Sequence, residues 1–123
     1  MSHIPPKLPT GILTPSTLTL QHGTQGNMVL TISNANTPSD MSPYTEVQWN
    51  ADTSNFPAWL GLSRTTGILE ANGYTNDRQT VQVSVDATSL APGSYNATIP
   101  LTLNYTSEPP TQPTNVPVQV TVT

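Results

Sequence analysis

Apolar and polar residues alternate one for one along most of this chain, and a period of two commits those stretches to β-strands with one face for a core and one for water. Leu18 and Leu20 alternate with Thr17 and Thr19; Met28, Leu30 and Ile32 with Asn27, Thr31 and Ser33; Val47, Trp49 and Ala51 with Glu46, Gln48 and Asn50. Further on, Val81, Val83 and Val85 alternate with Gln82, Ser84 and Asp86. Tyr95, Ala97, Ile99, Leu101, Leu103 and Tyr105 alternate with Asn96, Thr98, Pro100, Thr102 and Asn104. The last run sets Val116, Val118, Val120 and Val122 against Pro117, Gln119 and Thr121. Trp59-Leu60-Gly61-Leu62 supplies one more short apolar piece. No window shows a helical period of 3.6.

Turn residues punctuate these runs: Gly23 and Gly26, Thr66-Gly67, Asn72-Gly73, and Ala91-Pro92-Gly93. About seven short strands with such spacing predict an all-β fold, an immunoglobulin-like antiparallel β-sandwich. Pro100 and Pro117 sit inside strand patterns, where each removes a ladder donor and implies an edge position or a bulge. Residues 1–15, with Pro5, Pro6, Pro9 and Pro15, read as an extended Pro-rich arm apart from a sandwich of residues 16–123. The loops Asn34–Pro43 and Thr106–Asn115 would be the B–C and F–G loops, which share one end of such a sandwich.

Composition narrows the function. Only 8% of residues are charged and the net charge is −4, carried by scattered acids. With no basic patch, nucleic-acid binding has no electrostatic basis. The absence of cysteine removes disulfides and thiolate metal sites. No apolar run approaches the roughly 20 residues of a membrane span, and the start Met1-Ser2-His3-Ile4 has neither the charged nor the apolar region of a signal peptide.

Two stretches resemble a known family. Pro57-Ala58-Trp59-Leu60-Gly61-Leu62-Ser63 followed by Thr66-Gly67-Ile68-Leu69, and Val83-Ser84-Val85-Asp86 running on to Leu90, Gly93 and Tyr95, are similar to motifs of BACON-type bacterial and phage immunoglobulin-like domains. The resemblance spans about residues 16–123 and extends to the final Val116–Val122 strand. It implies packing roles for Trp59 and Leu60, a turn at Gly67, and a corner shaped by Gly93 and Tyr95. The family accompanies carbohydrate-active enzymes, cell-surface proteins and phage proteins.

Catalysis finds little to work with. His3 and His22 have no nucleophile at a suggestive spacing, and the seven acids form no recognisable pair for glycoside hydrolysis. Asp86 is better read as capping the Ala87–Leu90 turn through its side-chain oxygen. No Asp-rich calcium loop is present, so neither a metal nor another cofactor is expected, and the chain is expected not to be an enzyme.

What remains is surface. Sugar binding uses an exposed aromatic platform, and Tyr44, Phe56 and Tyr74, in loops and turns, are the candidate stacking groups, whereas Trp49 and Trp59 read as core. Asn96-Ala97-Thr98 and Asn104-Tyr105-Thr106 match the glycosylation sequon, a pattern that a Thr-rich chain produces by chance. In the arm, Ile4, Pro5, Pro6, Leu8, Pro9, Ile12 and Leu13 are candidate docking residues, since a stiff segment loses little entropy when it lies down on a neighbour. The leading expectation is therefore a non-catalytic structural or adhesion module on a virion or cell surface, such as a phage capsid decoration, with a protein partner that could be another copy or a capsid protein. The alternative is a carbohydrate-binding module for a cell-surface polysaccharide.

Overall fold

The computed structural model describes residues 7–41, 44, 46–104 and 111–123. Ile4, Pro5 and Pro6 of the expected arm lie outside the described residues, as do His3, Tyr105 and residues 106–110 of the Thr106–Asn115 loop.

In chain order the elements are β1 (Thr10–Thr14), β2 (Thr17–Leu20), β3 (Gln25–Ser33), the single turn α1 (Pro38–Met41), β4 (Glu46–Ala51), β5 (Leu60–Leu62), β6 (Thr66–Glu70), β7 (Arg78–Asp86), β8 (Gly93–Asn104) and β9 (Thr114–Val122). They form two sheets, ordered β1-β3-β7-β5 and β2-β9-β8-β4-β6. The inward positions of the alternating runs meet between them. Trp49, Leu30, Ile32, Leu69, Val83, Leu101, Leu103 and Val118 are fully buried there. This is the expected immunoglobulin-like sandwich.

Three features depart from expectation. First, the arm is extended but does not stand apart: β1 pairs antiparallel with β3, Thr10 opposite Ser33 through Thr14 opposite Val29. Leu13 and Pro9, expected to dock on a neighbour, are buried in the chain's own fold, while Leu8 and Ile12 are exposed at 45% and 64%. Gly11 makes this possible. A Cβ there would sit 2.6 Å from Val116 and 2.8 Å from Leu101, so only glycine lets β1 come this close to the opposite sheet. Second, after Pro15 the chain switches sheets without reversing direction, so β2 runs parallel to β9. All other described strand pairs are antiparallel. Third, Thr66-Gly67, expected to be a turn, opens strand β6, with Gly67 opposite Trp49.

The two strand prolines occupy central strands at points where the ladder is locally open. The Pro100 carbonyl accepts from the Asp52 N–H at 3.0 Å, just past the last residue of β4. Its missing N–H therefore faces the flank that β4 has left. Pro117 precedes the stretch of β9 that β2 pairs, which begins at Gln119.

Candidate functional site

The sandwich presents two built ends. At the first, residues 7–9, 34–41 and 70–77 converge around two fully buried asparagines, Asn34 and Asn36. Asn34 Oδ1 accepts from the Asn36 backbone N–H at 2.9 Å and from Asn36 Nδ2 at 2.8 Å. Asn34 Nδ2 donates to the Glu70 carbonyl at 3.0 Å and contacts Met41 Sδ at 3.3 Å. Asn36 Oδ1 accepts from the Lys7 N–H at 2.7 Å, and Asn36 Nδ2 donates to the Lys7 carbonyl at 3.2 Å. The Asn36 carbonyl accepts from the Asn72 N–H at 2.7 Å, and Thr114 Oγ1 donates to the Pro9 carbonyl at 2.7 Å. A buried primary amide that satisfies its donors and acceptors fixes its surroundings. Here two of them sew the N-terminal segment, the β3–β4 loop and the β6–β7 loop into one surface.

Charges reinforce that end. Thr37 and Asp40 cap α1 reciprocally: the Thr37 N–H donates to Asp40 Oδ2 at 2.9 Å and the Asp40 N–H to Thr37 Oγ1 at 3.3 Å. The Thr37 N–H and then the Thr37 hydroxyl, followed by Lys7 Nζ at 3.4 Å, hold the Asp40 carboxyl below its ordinary range. Asp77 is buried, and the Gly73 N–H at 3.0 Å, then Arg78 Nε at 3.2 Å, lower its pKa likewise.

At the opposite end, residues 52–59 run down the flank of β8 that β4 leaves uncovered and meet the 87–92 turn. Asp86 caps that turn as expected, its Oδ1 accepting the Thr88 hydroxyl at 2.6 Å and N–H at 3.0 Å. Asp52 repeats the device with Ser54, at 2.6 and 2.9 Å. Both carboxyls are lowered, chiefly by those hydroxyls. The Asp86 N–H donates to the Trp59 carbonyl at 2.9 Å, tying the descending segment to the end of β7. Trp59 is half-buried, its ring edge-on to Tyr95 with centroids 6.1 Å apart. Tyr95 is in turn held by its hydroxyl, which donates to the Ala91 carbonyl at 2.6 Å. A cleft of about 230 Å³ opens beside Trp59, rimmed by Asp86, Thr88 and Ser89. Across the Pro57-Ala58 ridge lies a shallower trough of about 480 Å³ between Asp52, Asn55, Asn96 and Thr98.

The expected stacking groups are not brought together. Tyr44 precedes β4 and Tyr74 follows β6, whose paired ends, Glu46 and Glu70, place both at the Asn34 end; Phe56 lies past the other end of β4. Tyr44 and Phe56 are half-buried against the core, and Tyr74 alone is widely exposed, at 53%. The reason is positional: loop residues adjoining a core strand fold back onto it. Sequence reasoning missed Asn34 and Asn36, which read as ordinary loop polar residues, and placed Trp59 wholly in the core. The nearest available signal for Trp59 was its place beside the prolyl turn at Pro57, off the regular alternation. Among the described residues, no three His, Cys, Asp or Glu side chains gather as a metal site would require, and no helix is long and apolar enough to cross a membrane.

No protein-family model and no curated protein sequence matches the chain. Solved structures do. A protein of unknown function from Porphyromonas gingivalis superposes with a TM-score of 0.63 at 13% identity, over 91% of this chain and 47% of that one. A family 123 glycoside hydrolase from Clostridium perfringens, described for glycolipid glycan hydrolysis, gives 0.54 at 12%, over 88% of this chain and 23% of that one. A chain of the CsuC–CsuE chaperone–tip adhesion subunit pre-assembly complex of Acinetobacter baumannii pili gives 0.50 at 10%, over 92% and 57%. The likeness is one of fold, and this chain spans between 23% and 57% of the length of these three.

Proposed function

We propose that this is a non-catalytic, BACON-type immunoglobulin-like module on the surface of a larger assembly such as a virion, docking a protein partner through its Asn34 end. The observation that carries this reading is the buried Asn34–Asn36 pair. Two fully buried amides brace three segments into one surface, and that surface displays Leu8 and Tyr74 at 45% and 53% exposure. A prebraced surface loses little conformational entropy on association, and exposed aromatic and aliphatic side chains are the usual anchors.

The absence of catalysis is supported by how the acids are held. Asp52 and Asp86 sit toward one end and Asp40 and Asp77 at the other. Each is lowered by hydrogen bonds, so all are ionised at neutral pH, and none is poised as a general acid. His22 spends its Nδ1–H on the Leu90 carbonyl.

A photo-reactive side chain placed at Leu8 or Tyr74, and for comparison at the exposed Gln82 and Ser94, tests the docking surface in the native assembly. The expected result is adducts from the first two positions only. Equal yields from all four would remove the assignment.

A further inference from the structure

We propose that the open flank of β8 takes up an extended peptide with a basic residue at one end, as an added strand of the second sheet. This goes beyond the docking reading and uses the opposite end of the molecule.

β4 accompanies β8 only as far as Leu101, opposite Ala51, whereas β9 accompanies it down to Gly93. Over Ser94–Ile99, β8 is therefore paired on one side and an edge on the other. Successive residues of a strand turn their backbone groups to opposite flanks, and two bonds fix which residues face which. The Pro100 carbonyl accepts from the Asp52 N–H on the β4 side, and the Leu103 carbonyl accepts from the Thr111 N–H on the β9 side. Asn96 and Thr98, in step with Pro100, thus aim both N–H and C=O into the open flank. Among the described residues nothing meets these groups, because the 52–59 segment reaches the β8 backbone through Asp52 alone. What is left between them is the trough of about 480 Å³, with Asp52, Asn55 and Pro57 on one wall and Asn96, Ala97 and Thr98 on the other.

The chemistry of the trough selects its occupant. A donor and an acceptor repeated at every second residue, about 7 Å apart, are matched by another extended backbone, whose alternate side chains are then read separately. Ala97, between Asn96 and Thr98, faces the core yet is only half-buried. The residue set opposite it in the added strand shares that face, so a small apolar side chain there completes the core. Asp52 stands at the Pro100 end, ionised, with Oδ1 engaged by Ser54 and no partner for Oδ2 among the described residues. The trough itself supplies no basic group. Antiparallel to β8, as β4 is, the peptide enters with its N-terminal end at Asp52, and a lysine or arginine there meets the carboxylate.

An array of capped hexapeptides in which Ala or Val alternates with Thr or Ser, opened by Lys, Ser or Glu, tests this with the full chain. Each captured peptide is then titrated into isotope-labelled protein. In the free protein the Asn96 and Thr98 amides should exchange with solvent quickly, while those of Ala97 and Ile99, turned to β9, exchange slowly. Lys peptides should be captured over Glu peptides, with the Asn96 and Thr98 amide signals shifting and their exchange slowing. N-methylating the peptide at the alternate residues that face β8 should weaken binding at least about tenfold. Thr98→Pro removes a donor that no strand uses, two residues before a proline the strand already holds, and should weaken binding likewise. Asp52→Asn should cut the preference for Lys over Glu about threefold. No capture of any peptide, shifts confined to other residues, or binding that survives N-methylation in either register overturns the assignment; the N-methylated peptides decide it if Thr98→Pro fails to fold. Such a failure leaves the cross-links from Leu8 and Tyr74 untouched, so the two sites stand or fall separately.

Discussion

Trp49 is the largest fully buried side chain, and its indole N–H would be an unpaired buried donor if nothing met it. Gln79, on the facing sheet, accepts it at 2.7 Å. Gly67 leaves room for that bond: paired directly with Trp49, it would, with a Cβ, press on both Trp49 Nε1 and Gln79 Oε1. The glycine is therefore a packing residue of a strand and not the turn residue its sequence neighbours suggest. Gly67→Ala is expected to destabilise the fold by about 1–3 kcal/mol, through overpacking and a broken buried hydrogen bond. Urea denaturation followed by tryptophan fluorescence measures it. An unchanged midpoint would mean that Trp49 and Gln79 have other room to move.

At the scale of elements, the turns depend on ionised aspartates. Asp52 and Asp86 each accept a hydroxyl and a backbone N–H two residues on, and Asp40 caps α1. Hydrogen bonds to the charged form lower each pKa beneath the usual 3.8. A depressed folded pKa contributes stability that is complete above the unfolded value and is lost as pH falls through the folded one. The thermal midpoint is thus expected to hold nearly level from pH 8 to about 5 and to decline below about 4. Asp86→Asn, which keeps an acceptor but cannot titrate, should make the acid decline shallower. A decline already present near pH 6 would point to a different titrating group. The strand prolines obey the same local logic, because each stands where its missing donor faces no strand.

For the molecule as a whole, the consequential element is β1. A free arm could be removed without harm to the sandwich. A strand that pairs with β3 over five residues and buries Leu13 could not. Losing one buried leucine forfeits about 1.5–3 kcal/mol, before counting the ladder, out of a typical total of 5–15 kcal/mol. Deleting residues 1–14 is expected to lower the thermal midpoint by more than about 10 °C, or to prevent folding, as circular dichroism would record. A truncated chain that melts with the full-length protein would restore the detachable arm. The deletion also takes away Lys7 and Pro9, which the Asn34 end holds, so the docking surface and the edge of the sandwich fail together.

The sequence by itself determined the fold class and most of the strands, because a period of two over six long runs can be buried on one face only as paired sheets. It also determined the Asp86 turn, since a side-chain oxygen reaching its own backbone two residues on is a local matter. β1 escaped because four prolines in the first fifteen residues mask Gly11 and Leu13, whose inward direction exists only once β3 lies alongside. β6 escaped because five residues containing a glycine show too little alternation to outweigh a turn signal. The two ends were decided by tertiary structure alone. Asn34 and Asn36 become braces only when segments 29 to 38 residues away supply their partners. Trp59 becomes a cleft wall only because β4 stops short and leaves the flank of β8 open to the segment that carries it. Burial of a side chain beside a strand, and the partners of a buried amide, are set by what folds against them, and a single strand's pattern contains neither.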